Sequence, residues 1–213
     1  MTGLDPDYGT TPLDFEELDA LLPEAAESIG DPVTKAAVYE LEQEYESAVR
    51  EAFLPRAASG ELPLADLLTD WSLRDLHARL YENLWSWAGT YRQRELSIGI
   101  DPTMIAVDLR ATFGSLVYRW EHAGDWTAAH LALAAHAEAV RIHPFVDGNG
   151  RSTRLLADLV LLAATPDDEP AVVFDWDLDK ALYIPALRRF DQARDPHELA
   201  DLVNVELVDI GED

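Results

Sequence analysis

Cysteine is absent from all 213 residues, which excludes a disulfide framework, a thiolate nucleophile and a Cys-ligated zinc site. A reducing cytoplasm fits this absence. Lysine is nearly absent too: Lys35 and Lys180 are the only two, and the other basic residues are arginines. Basic side chains number 16 against 41 acidic ones, for a net charge of −25. Such a surface repels phosphate backbones and anionic lipid, and so argues against nucleic acid or a membrane as partner. The excess acid reads either as an adaptation to a salt-rich cytoplasm or as the product of a genome favouring Arg and Ala. Long apolar runs are also missing. The longest, Leu155 to Ala164, is interrupted by Asp158 and falls short of the ~20 residues that span a bilayer. Met1-Thr-Gly-Leu-Asp-Pro-Asp has no basic region leading into an apolar stretch, so no signal peptide is expected there. The expectation is a soluble, cytoplasmic protein. Apolar material is not short: 48% hydrophobic residues and six Trp are enough for a sizeable core in one domain.

Helical spacing dominates the chain. From Pro32 to Phe53, Val38, Leu41, Tyr45, Ala48, Val49 and Ala52 recur at three- and four-residue steps. A second helix is predicted from Ser72 as N-cap through Leu73, Leu76, Leu80, Leu84 and Trp87, with Gly89 as its stop. Asp101-Pro102 reads as cap and first position of a third, reaching about Trp120, and Thr127 opens an Ala-rich fourth ending near Ile142. Another follows Gly150 to about Ala163. Thr165–Pro170 is a loop, and further helices are predicted at Asp177–Phe190 and Pro196–Val208. Only Thr90–Ile100 lacks a helical period, and it is predicted to form a short hairpin. The fold class is all-α with a small β element.

One segment breaks local rules. Between the fourth helix and the next lies His143-Pro-Phe-Val-Asp-Gly-Asn-Gly-Arg-Ser-Thr-Arg154. Pro144 cannot continue the preceding helix. Asp147-Gly148-Asn149-Gly150 is a tight turn that offers backbone N–H groups at a helix start, where the dipole favours an anion. Arg151 and Arg154 share a face of that helix start, where a cation opposes the dipole by roughly 0.3–1 kcal/mol each. A polyphosphate reverses that penalty, because both guanidinium groups and the helix end then face negative charge. Asp147 is a hard oxygen ligand suited to Mg²⁺ held jointly with phosphates, and His143 is a general base titrating near neutrality. Each feature alone is ordinary; together within twelve residues they point to phosphoryl or nucleotidyl transfer.

The segment resembles the Fic-family signature His-x-Phe-x-Asp/Glu-Gly-Asn-Gly-Arg-x-x-Arg at every defining position. More loosely, the layout from about Leu13 through Trp87-Ala88-Gly89 to the C-terminal helices resembles a subgroup called mobile mystery protein B. The resemblance implies a Fic-like helical bundle with a β-hairpin flap. It also implies a single Fic domain over residues 1–213, with 1–60 a helical extension and about 70–195 the core. It implies transfer of AMP from ATP to a Tyr, Thr or Ser hydroxyl of a target protein. His143 would be the base and Asp147 would hold Mg²⁺. Gly148, Asn149 and Gly150 would form the anion hole, Arg151 and Arg154 would bind the β- and γ-phosphates, and Phe145 would anchor the loop. Ile98 and Gly99 fall where the family's flap docks its target.

Fic proteins also carry an inhibitory Ser/Thr-x-x-x-Glu-Gly/Asn helix whose Glu pairs with the second motif arginine, here Arg154. Ser47-Ala-Val-Arg-Glu51-Ala52 has that spacing except for Ala52, so Glu51 is the inhibitory candidate, with Glu42 and Glu44 as rivals. Thr165–Pro170 has the spacing too, but its prolines make a poor helix. A self-inhibitory helix or an antitoxin is therefore the expected regulator. A Doc-like kinase is disfavoured because that subgroup has Lys where Gly150 stands. Removal of AMP, transfer of another nucleotide or of phosphocholine, and a non-catalytic interaction or toxin–antitoxin role complete the alternatives. His130 and His136, six apart, do not have the spacing of a shared metal site.

Overall fold

Capping side chains set the starts of four of the helices. A computed structural model describes residues 15–166 and 168–210. The N-terminal segment from Met1, Leu13 where the wider resemblance begins, Asp167, and residues 211–213 lie outside the described residues. The helices are α1 (Phe15–Ala20), α2 (Pro23–Ile29), α3 (Lys35–Ala58), α4 (Leu64–Leu67), α5 (Asp70–Tyr81), α6 (Ile105–Ala123), α7 (Ala128–Ile142), α8 (Asn149–Ala164), α9 (Lys180–Ala193) and α10 (His197–Leu202). Two strands, β1 (Val172–Phe174) and β2 (Val205–Leu207), pair antiparallel with Val172 opposite Leu207.

Thr34, Thr69, Thr127 and Asp179 each accept a first-turn N–H through the side chain, at the starts of α3, α5, α7 and α9. The cap of α5 is therefore Thr69, three residues before the expected Ser72, whose own N–H is the one capped. This helix also ends early, at Tyr81. There the Leu84 and Trp85 N–H groups both fold back onto the Tyr81 carbonyl (2.9 and 2.8 Å), making turns where the helix was expected to continue through Trp87.

Helix α8 is the hub, packing on α3, α4, α5, α7 and β1. Its Leu155, Leu156, Leu159, Val160, Leu161 and Leu162 are all buried, each burial stabilising by about 1.5–3 kcal/mol. The buried Asp158 on the same helix accepts from Arg50 Nη1 (2.7 Å), Phe174 N (3.1 Å) and Trp176 Nε1 (3.1 Å), joining α3, α8 and the end of β1. Burial holds its carboxyl above the usual carboxylate range, and Arg50 opposes that shift.

The mostly helical class and the small antiparallel sheet are as expected, but the sheet lies elsewhere. Thr90–Ile100 forms no strand, because the Arg92 side chain, rather than a partner strand, satisfies the carbonyls of Arg94 (3.0 Å) and Ile100. The helix expected over Pro196–Val208 instead divides into α10 and β2. No helix among the described residues is long and apolar enough to cross a membrane.

Candidate active site

The loop between α7 and α8 is built around Phe145, which is fully buried and stacks on the His77 ring at 3.6 Å. Asn149 closes this loop on itself: its side chain accepts from Phe145 N and donates to Phe145 O, both at 2.9 Å. The Asn149 amide is thus committed to the loop, and only its backbone faces the role expected of it in anion binding. Gly148 stands at φ 71° before α8, with its α-carbon against Tyr81, where a Cβ would lie 2.7 Å from Cζ. Both the conformation and the contact require glycine.

No side chain caps α8. The first-turn N–H groups of this well-buried helix are therefore left for an anion. An open cleft of about 840 Å³ lies beside this end of the helix, and its lining includes Glu42, Trp85, Trp87, Asp147, Arg151 and Arg154. Asp147 is exposed, with Oδ1 accepting from Gly148 N at 2.7 Å. Arg154 donates from Nε to Gly150 O at 3.1 Å and lies over Trp176. Arg151 donates to Glu42 Oε2 at 2.6 Å and lies over the Tyr81 ring.

His143 ends α7 with a left-handed backbone (φ 53°), an arrangement that costs a residue with a Cβ about 1–2 kcal/mol. Its Nδ1 is buried with no aligned hydrogen-bond partner, so Nε2 is the nitrogen left to meet a substrate. Burial and then the Arg92 charge hold the imidazole below its ordinary pKa, while the Val140 carbonyl and Asp147 pull weakly the other way. Burial and Arg92 both favour the neutral form of the ring. His143 does not line the cleft that holds Asp147, Arg151 and Arg154; it stands at the opposite end of the same short loop.

Gly99 packs directly against His143, since a Cβ on it would lie 2.7 Å from His143 Cβ, and Ile100 N donates to Ile142 O at 3.3 Å. Ile98 beside it is 59% exposed. The two expected docking residues are therefore next to His143, although no hairpin carries them.

Of the inhibitory candidates, Glu42 rather than Glu51 is seen to contact a motif arginine. Glu51 is exposed and accepts from Ser47 one turn earlier on α3, because Arg50 beside it is the residue that turns inward to α8. Glu42 instead reaches the motif. It is 7% exposed and accepts from Trp85 Nε1 (2.8 Å) as well as from Arg151, the first motif arginine rather than the second.

Two contributors carried no functional signal in the sequence. Arg92 lies in the aperiodic segment, and His77 reads as one more residue of an amphipathic helix. Gly89 N–H donates to His77 Nδ1 (2.9 Å), which leaves Nε2–H to donate to the Asp147 carbonyl (3.0 Å). Burial is the main cause that lowers His77 to about 4. His136, buried and bonded to the Tyr183 hydroxyl, is likewise lowered to about 3 by burial, whereas His130 completes the cap of α7. Unfolded histidine titrates near pH 6.5, so below that pH the unfolded chain binds more protons than the folded one. The stability of keeping these rings neutral is present above pH 6.5 and lost as pH falls toward 4. Each ring contributes a slope of up to about 1.4 kcal/mol per pH unit. Urea midpoints measured from pH 7 to pH 4.5 are expected to fall less steeply in His77→Gln than in the parent; parallel curves would refute this.

Among the described residues no three His, Asp or Glu side chains converge on a metal position. Asp147 is an exposed hard oxygen donor, which suits an ion that keeps most of its waters, as Mg²⁺ does.

A mostly helical scaffold thus brings an uncapped helix start, two arginines and a histidine to one loop. In comparison with known proteins, residues 67–161 match the model of the Fic/DOC family. A protein adenylyltransferase Fic of Drosophila ananassae is 45% identical over 49 residues, which are 22% of this chain and 10% of that relative. The chain thus spans about a tenth of the curated relatives it matches. Two structures of the N-terminal Fic domain of a Bartonella quintana VirB-translocated effector superpose with TM-scores of 0.57 and 0.55, at 18% and 19% identity. In each case the match covers 81% of this chain and 86% of that one, and the second structure holds bound ADP. A Fic-domain signaling protein of Bacteroides thetaiotaomicron gives 0.56 at 25% identity, covering 75% and 60%. The family match covers residues 67–161, a little under half of the chain.

Proposed function

We propose that this chain transfers AMP from ATP to a Tyr, Thr or Ser hydroxyl of a target protein. The observation that carries this reading is the uncapped start of α8, opening on the cleft that also holds Asp147, Arg151 and Arg154. The adenylyltransferase name of the Drosophila relative and the ADP bound to the Bartonella domain support it.

His143 Nε2 takes the proton of the target hydroxyl. The hydroxyl oxygen then bonds to the α-phosphorus of ATP, the bond from that phosphorus to the α–β bridging oxygen breaks, and pyrophosphate leaves with the electron pair. The N–H groups of Asn149, Gly150 and Arg151 meet the charge developing on the phosphate oxygens. Arg154 and, once released from Glu42, Arg151 hold the β- and γ-phosphates. Asp147 would hold Mg²⁺, which when bound neutralises phosphate charge. Gly99 and Ile98 orient the target segment beside His143. Residues 1–60 act as an extension to a core at about 70–195, and the self-inhibitory role falls to Glu42. Kinship with the mobile mystery protein B subgroup rests on chain layout alone.

The test uses ATP labelled at either the α- or the γ-phosphate, with Mg²⁺ and a cell lysate supplying targets. Protein-bound α-label, without γ-label and absent from His143→Ala, is expected. Protein-bound γ-label alone would replace this reading with a kinase.

A further inference from the structure

We infer that Arg92 is a positioning residue for His143, fastening the end of α7 to the 94–100 segment. This inference rests on the reading of His143 as the base. Arg92 is 1% exposed and among the largest fully buried side chains, and its charge also acts on the Asp101 carboxylate, without a hydrogen bond between them. Its partners are four backbone carbonyls. Nε donates to His143 O at 2.7 Å, Nη1 to Arg94 O at 3.0 Å, and Nη2 to Ile100 O and, at 3.5 Å, to Ile142 O.

The physical logic starts from the helix end. The last carbonyls of α7 have no partner within the helix, and the usual remedy is a glycine in the left-handed position just beyond. Here His143 occupies that position, so a cation from another segment satisfies the carbonyls and complements the negative pole of the dipole. A guanidinium suits this task because its five donors form a rigid planar fork, which can serve two chain segments at once. One side of the fork holds Ile142 and His143, and the other holds Arg94 and Ile100. Backbone bonds reinforce the join, with Arg92 N donating to Pro144 O at 2.9 Å and Ile100 N to Ile142 O at 3.3 Å. Gly99 lets the segments close up, since a Cβ there would lie 2.7 Å from Arg92 Nη2. The base and the segment that presents its substrate therefore move as one body. The charged groups that act on the imidazole are Arg92 and, from the far end of the loop, Asp147.

The experiment compares Arg92→Met and Arg92→Lys with the parent, using full-length protein, α-labelled ATP and backbone amide exchange. In Arg92→Met, kcat is expected to fall about 100-fold while the KM for ATP stays within about twofold, because the phosphate contacts lie elsewhere. Arg92→Lys keeps the charge but loses the fork, and should recover part of that loss. Exchange at the Ile100 amide should accelerate, with Leu156–Leu162 of α8 unchanged, whereas a purely stabilising role would accelerate both together. An unchanged kcat, or a KM that rises in step with the loss of kcat, would overturn the inference. If Arg92→Met does not fold, the same split in Arg92→Lys decides. If the parent transfers no label, the exchange pattern still tests the fastening, and only the proposed reaction fails.

Discussion

Replacing His143 with alanine is expected to lower the rate of AMP transfer about 1,000-fold while ATP binds as before, the range general-base catalysis supplies. Every contact proposed for the phosphates comes from α8 or its first turn, and none from His143. The imidazole is already disposed toward the neutral form by burial and by Arg92, so the pH–rate profile should have its acid limb below the ordinary histidine value of about 6.5. The position itself complicates the variant, because φ is 53° there. Asparagine tolerates left-handed backbone better than alanine does, and His143→Asn therefore separates loss of the base from loss of loop geometry. Both variants should show the same deficit in label transfer and the same ATP affinity by calorimetry. A deficit smaller than about tenfold would remove His143 from the chemistry.

The second large effect is expected at Glu42, and its sign is opposite. The Glu42 carboxylate has both oxygens engaged, by Trp85 and by Arg151, and any phosphate must compete with it for the guanidinium. Glu42→Ala should tighten ATP binding by about 10- to 100-fold, which corresponds to about 1.4–2.8 kcal/mol of competition removed. The same change costs stability in the free protein, because Arg151 is only 24% exposed and loses its partner. Thermal unfolding should therefore start lower without nucleotide and rise further on adding ATP and Mg²⁺ than it does in the parent. Glu42→Gln keeps a partner for the Trp85 N–H and loses the charge, so it should share the gain in affinity with less loss of stability. Unchanged ATP affinity in both variants would mean that Glu42 only braces α3.

Much of the loop between α7 and α8 is legible in the sequence because its constraints are local. The α7–loop–α8 unit follows from Thr127, the Ala-rich periodicity, Pro144 and the glycines, and the chain rises and turns where those residues require. Long-range pairs are not legible in this way. Arg92 carries no periodic signal, and its partners are backbone carbonyls that any sequence would supply. Glu42 and Glu51 lie on one helix with similar neighbours; only the packing of α3 on α8 decides which of them turns inward. The short strands illustrate a third case. Val172-Val173-Phe174 is β-branched and aromatic, yet three residues are too few to show a period, and the partner lies inside what reads as a continuing helix.

The two ion pairs between α3 and α8 also encode a direction. Glu42 meets Arg151, and eight residues later Arg50 meets Asp158, seven residues further along the second helix. These intervals correspond to about 12 Å and about 10 Å of helix, so the helices run the same way and the acid–base order on one is reversed on the other. Sliding α3 by a turn would break both pairs at once, which makes translation a poor route for freeing Arg151. Rotation about the Asp158 end keeps the deeper pair intact and lifts only the Glu42 end. The start of α3 at Lys35 lies farther from Arg50 than Glu42 does, so a displacement there about the Arg50–Asp158 pair would carry Glu42 with it.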